Sequence, residues 1–319
     1  MQQTQIKAFG DGQKFSGFLL VKSAEQRIDQ RGKYYLDMNL VDSSGEVNCK
    51  MWGGFTQVPE AGSVVHIVRS QIQIYNGRIQ MKIEEMKPAV PEDQVDMSQL
   101  VASAPATAEE MMAYLDSVID SFSSDHLKRL VREMIRLTGE ELKYYPGGMW
   151  VHHAEKGGLL HHTTDMLYTA EAVLKCYPFL NADLLRAGVI VHDLAKTSEM
   201  LSDSMGKVTD YSRDGQLIGH LVRGVANLQT AARNCGIGGE WVVLLEHMIL
   251  SHHGVAEHGS PQVPKILEAE VLHILDYLDS RVYQMRAAVE KTPVGAFSEK
   301  IAILDGRRMY HPYYSDEAE

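Results

Sequence analysis

Between residues 15 and 84, apolar and polar positions alternate over short runs. Tyr34, Leu36, Met38 and Leu40 mark one run, and Ile79, Met81 and Ile83 another. A period of two sends successive side chains to opposite faces of a strand. Strands are therefore expected over 15–22, 34–42, 47–52, 63–74 and 78–84, with Asn76-Gly77 supplying the positive φ of a two-residue hairpin between the last two. Short strands so close together suit a small OB-type barrel. Residues 89–106, mixing Pro, Ala, Ser and acids without a period, read as a linker. After them the spacing becomes helical. Thr107 and Glu110 form a capping box, and Leu127, Leu130, Val131, Met134 and Ile135 share one helix face. Further helical stretches cover 159–175, the residues before His192, 216–232, 240–251 and 264–282, while 144–158 is a Gly- and Pro-rich loop. The expected fold is multi-domain α+β: a five-stranded OB-type β-barrel (1–88), a linker (89–106), and an all-α helical bundle with a C-terminal tail (107–319).

Charge divides unevenly between these parts. The chain carries a net −11, yet residues 1–88 hold 11 Lys and Arg against 9 Asp and Glu, so the barrel is the part less hostile to a polyanion. Tyr35, Trp52, Phe55 and Tyr75 are candidates for stacking bases, with Lys33, Lys50, Arg69, Arg78 and Lys82 for tracking phosphates. Alternation does not say which face points inward, so each aromatic is equally a core residue. Cys49, Cys176 and Cys235 form no C-x-x-C and no disulfide framework, which leaves imidazole and carboxylate to hold any metal. With no basic-apolar leader and no apolar run near the ~20 residues that span a bilayer, a cytoplasmic protein without membrane contact is expected. The tail, 297–314, mixes aromatics with Arg307 and Arg308 and suits packing or a homo-oligomer contact.

The candidate chemistry centres on His192-Asp193, which follows the apolar residues Leu184, Leu185, Val189 and Ile190. A carboxylate anchored in a core is costly unless something pairs it, and a metal would resolve the cost. His162, His220, His252, His253 and Asp276 recur at suitable intervals. His192, Asp193, His162 and Asp276 suffice for one divalent ion, and His220, His252 and His253 allow a second, with Asp193 as bridge. His162 lies beside the inward stripe of its helix and His161 further round, so His161 is a neighbour. Asp279 shares a helix face with Asp276 and supports it. His152 and His153 fall in the loop, at the mouth of such a site. Lys196, one turn beyond His192, would hold a phosphate oxygen. Each has a blander reading: a buried His satisfied by hydrogen bonds, a His pair on a helix C-terminal dipole, a Lys pointing to solvent. The ordered set outweighs them. These ligand types suit Mn²⁺, Fe²⁺, Ni²⁺, Co²⁺ or Mg²⁺, and two such ions can activate water and stabilise both oxygens of a phosphodiester.

The order H, HD, H, HH, D resembles the HD superfamily of metal-dependent phosphohydrolases. With a barrel and linker ahead of H-H-A-E-K-G-G-L-L-H-H-T, H-D-L-A-K, H-M-I-L-S-H-H-G and I-L-D-Y-L-D-S-R, nearly the whole chain resembles the YhaM family of 3′-to-5′ exoribonucleases. That resemblance implies hydrolysis of single-stranded RNA, with DNA as a second substrate, to nucleoside monophosphates, typically with Mn²⁺. It gives Asp193 and Lys196 catalytic roles and matches His162, His192, His220, His252, His253 and Asp276 to the family's motifs one by one. Ala195, where many HD proteins carry Gly, and His161 depart from the pattern. Two other readings stand beside it: an HD phosphohydrolase of nucleotides or cyclic dinucleotides with a regulatory barrel, and a replication-associated nucleic-acid-binding factor whose hydrolytic site is secondary.

Overall fold

The computed structural model describes residues 3–101, 103–148, 153–202, 206, 208–301 and 304–314. The chain divides into two compact units, 1–103 and 104–319.

In the first, β1 (Lys14–Ile28), β2 (Tyr34–Asp42), β3 (Gly45–Trp52), β4 (Val64–Tyr75) and β5 (Arg78–Pro88) close into a barrel of order β1-β2-β3-β5-β4. The β3–β5 pair is parallel and the other pairs are antiparallel. The barrel interior is filled by Leu19, Val21, Leu36, Met38, Leu40, Cys49, Ile67, Ile72 and Met81. Strand β1 runs six residues past its expected end: after a bulge between Val21 and Ser23 it pairs on to Ile28↔Tyr34. Side chains there are largely solvent-facing on both sides, so no alternation announced the extension. Tyr34, grouped with Leu36 by its spacing, is exposed at the strand end. The stretch read as a linker contains 3-10 turns at Pro91–Asp93 and Met97–Gln99, its Leu100 is buried, and the Gln99 carbonyl accepts the Ser43 amide at 2.9 Å.

The second unit contains α1 (Ala108–Asp120), α2 (Asp125–Thr138), α3 (Gly158–Cys176), α4 (Ala182–Val191), α5 (Lys196–Glu199), α6 (Arg213–Leu217), α7 (Gly219–Cys235), α8 (Glu240–Ser251) and α9 (Leu267–Glu290). Two short strands, β6 (Met200–Ser202) and β7 (Val208–Tyr211), pair antiparallel. Thr107 and Glu110 cap α1 reciprocally as expected, and the Asn181 side chain accepts the Leu184 amide at 3.0 Å to start α4. A helix apolar all round belongs in a core, and α4 packs against α2, α3, α8 and α9. Gly188 permits the approach to α8, because a Cβ there would overlap the end of Met248. Among the described residues no helix is long and apolar enough to cross a membrane.

Candidate metal centre

The central helix α4 delivers His192 at its C-cap and Asp193 in the turn that follows, both buried. Around them stand His162 from α3, His220 from the first turn of α7, His252 and His253 from the end of α8, and Asp276 from α9. The expected ligands thus converge. Asp193 Oδ2 lies 3.3 Å from His192 Nε2 and 3.9 Å from His162 Nε2, and Asp276 Oδ1 lies 3.4 Å from His162 Nε2. Asp193 Oδ1 faces the other way, 3.5 Å from both His220 Nε2 and His252 Nε2. One carboxylate therefore spans two groups of donors, and His253 closes the second by grouping with His220 and His252.

The hydrogen bonds on the far side of each ring decide what those nitrogens carry. His162 Nδ1 donates to Asp279 Oδ2 (2.6 Å), His192 Nδ1 to the Val189 carbonyl (2.9 Å), His220 Nδ1 to Glu199 Oε1 (2.9 Å), His252 Nδ1 to the Ile249 carbonyl (2.8 Å) and His253 Nδ1 to the His258 carbonyl (2.9 Å). Each acceptor is an oxygen, so the ring proton sits on Nδ1 and, in the neutral ring, the Nε2 lone pair faces Asp193. Among the described residues, His192 Nε2, His220 Nε2, His252 Nε2 and Asp193 Oδ1 are buried with no hydrogen-bond partner. Converging buried lone pairs repel one another, whereas donors 3.3–3.5 Å apart suit a cation at about 2.1 Å from each. The donor set fits a divalent metal.

Charge in the cluster follows from its neighbours. Burial works against ionising Asp193, yet Lys196, with Nζ 2.6 Å from Oδ2, and His192 hold its carboxyl well below the usual range. Lys196 is buried rather than pointing to solvent, and although burial favours its neutral form, Asp193 and Asp276 keep it charged. Burial likewise opposes a charged His162, but the carboxylates of Asp276 and Asp279 on either side pull it up to about 9 in the ion-free protein. Burial, followed by His252 and His220, pushes His253 down to about 3. A metal ion entering the site must displace the His162 proton.

Asp279 supports His162, as its position on α9 suggested. His153 is fully buried instead of lying at a mouth, and its Nε2 meets the same Asp279 oxygen at 2.8 Å. His152 lies outside the described residues. Glu199, which holds His220, escaped the sequence reading; its only sequence signal is its place three residues beyond Lys196. In the barrel, the register Tyr35↔Trp52 and Asp37↔Lys50 turns these residues away from Leu36, Met38, Cys49 and Met51. Tyr35 and Trp52 stack at 5.3 Å, and Lys50 Nζ lies 4.9 Å over the Tyr35 ring. Tyr75 and Arg78 are exposed at the β4–β5 hairpin, while Phe55 packs against the core.

Residues 155–281 match the model of the HD domain. Relatives described as 3′-5′ exoribonuclease YhaM align over nearly their full length. That of Halalkalibacterium halodurans is 35% identical over 96% of this chain and 95% of its own. The Geobacillus protein is 36% identical over 95% and 94%, and the Bacillus subtilis protein 35% identical over 95% and 96%. The second OB-fold domain of replication protein A from Methanococcus maripaludis superposes with a TM-score of 0.23 at 10% identity, covering 27% of this chain and 94% of that one.

Proposed function

The chain belongs to the YhaM family of 3′-5′ exoribonucleases, and on that premise we propose that it shortens single-stranded RNA, and secondarily DNA, from the 3′ end in the cytoplasm. It is a divalent-metal-dependent exoribonuclease; the ion of our reading is Mn²⁺. The observation that carries the site assignment is the shared carboxylate of Asp193, with imidazole lone pairs gathered on both of its oxygens. His162, His192, Asp193 and Asp276 would hold one ion, and Asp193, His220, His252 and His253 a second. Ions held there supply Lewis-acid polarisation of the scissile phosphate and a water nucleophile near neutral pH.

The protein's own groups do the rest. The oxygens bonded to each Nδ1 fix the tautomer and orientation of every ring, so the donors are arranged before substrate arrives. Lys196 keeps its ammonium beside Asp193 and is the donor placed to bind a nonbridging phosphate oxygen. Water adds to phosphorus, the bond to the 3′ oxygen of the preceding nucleotide breaks, and a proton passes to that oxygen. The terminal nucleotide leaves as its monophosphate.

The barrel offers Tyr35, Trp52 and Tyr75 for stacking and Lys50 and Arg78 for phosphates, which supports binding of an unpaired strand. The exposed Phe297 and Tyr313 of the tail support a contact between copies of the chain, which sedimentation would detect. The reading is tested by offering the enzyme one RNA sequence as single strand and as blunt duplex with Mn²⁺. Mononucleotides released from the single strand in large excess are expected. Hydrolysis of cyclic dinucleotides, with neither RNA form touched, would instead favour a small-molecule phosphohydrolase.

A further inference from the structure

We infer a separate cation site beside the first, formed by His153, Glu155 and His161, that takes a first-row transition-metal dication such as Zn²⁺. His153 Nδ1 lies 3.1 Å from His161 Nδ1, His161 Nδ1 lies 2.7 Å from Glu155 Oε1, and Glu155 Oε1 lies 3.7 Å from His153 Nδ1. The triangle is small enough for one ion to reach all three corners at about 2.1 Å.

The far side of each donor again fixes its chemistry. His153 Nε2 donates to Asp279 Oδ2 at 2.8 Å, and His161 Nε2 faces Asp165 Oδ2 at 3.2 Å, which leaves each Nδ1 as a lone pair aimed at the other. Tyr283 donates its hydroxyl to Glu155 Oε2 at 3.2 Å, leaving Oε1 for the triangle. Carboxylate-backed imidazoles with a third, carboxylate donor make the two-His, one-Glu set that zinc accepts with a position left for water.

Local backbone supports a selected arrangement. His153 has φ 48°, a conformation that disfavours a side chain, yet its ring is fully buried. Its carbonyl accepts the Gly147 amide at 2.8 Å, and a Cβ on Gly158 would collide with that carbonyl. Asp165 is the exposed neighbour, offering an entry side. An ion here ties the 144–158 loop to α3 and, through the Asp279 oxygen that His153 shares with His162, braces a ligand of the first site.

The test uses the full chain, stripped with a chelator, reloaded with Zn²⁺ and dialysed, with bound zinc counted by elemental analysis and located by anomalous diffraction at the zinc edge. A peak within bonding distance of His153 Nδ1, His161 Nδ1 and Glu155 Oε1 is expected. Glu155→Gln and His161→Gln should each remove that peak and one zinc per chain while density at Asp193 persists. Asp193→Asn should do the reverse. Filled positions at Asp193 with none in the triangle would overturn this site alone, and an empty map at both would overturn both. If either variant fails to fold, the wild-type map still decides.

Discussion

An imidazole commits one nitrogen to a metal only when something holds the proton on the other. Here Asp279 and Glu199 do this for His162 and His220, and backbone carbonyls do it for His192, His252 and His253. Removing the shared carboxylate by Asp193→Asn is expected to cost at least about 10³-fold in RNA hydrolysis, since several kcal/mol of charge stabilisation depends on the ions it holds. Asp279→Asn should be milder, with metal affinity falling about 10- to 100-fold in a metal titration followed by calorimetry. The ordered His and Asp residues were legible because each follows a recognisable apolar stretch. Glu199 and the His153–Asp279 bond were not, because α3, α5, α7 and α9 bring these partners together only on folding.

At the scale of elements, the ligands keep their places because helix ends are fixed. Gly158 opens α3 with its Cα against the His153 carbonyl. Gly158→Ala is therefore expected to destabilise the helical unit by about 1–3 kcal/mol, read as a lower melting temperature. A second tie joins α2 to α7: Glu133 accepts from Arg136 and from Asn234, each at 2.7 Å. Arg136 first and Asn234 second lower the Glu133 carboxyl from 4.5 to about 2. A folded-state value below the unfolded one means the contribution is complete above 4.5 and disappears as pH falls toward about 2. Melting curves across that window should show a smaller acid loss in Glu133→Gln than in the wild type. Helices with an apolar stripe, such as α2, and with a capping box, such as α1, were readable from spacing. The far half of β1 was not, because its stability comes from pairing with β2 and not from a buried face.

Across the whole molecule, a barrel with an outward aromatic-basic face and a helical unit with a His-Asp cluster occur in one chain. The sequence announced both, but only the register settles that Tyr35 and Trp52 face outward while Phe55 packs inward. Trp52→Ala should raise KM for RNA oligomers roughly 5- to 100-fold, as expected for a lost base stack of about 1–3 kcal/mol, and leave hydrolysis of a small phosphodiester unchanged. The central claim is that the Asp193 cluster removes nucleotides from the 3′ end. Its most direct test is digestion of a 5′-labelled single-stranded RNA with Mn²⁺, wild type beside Asp193→Ala. A ladder of labelled products that shortens progressively from the 3′ end, absent with the variant, is the expected result. Release of the labelled 5′ nucleotide as the first product, or an equal ladder from Asp193→Ala, would contradict it.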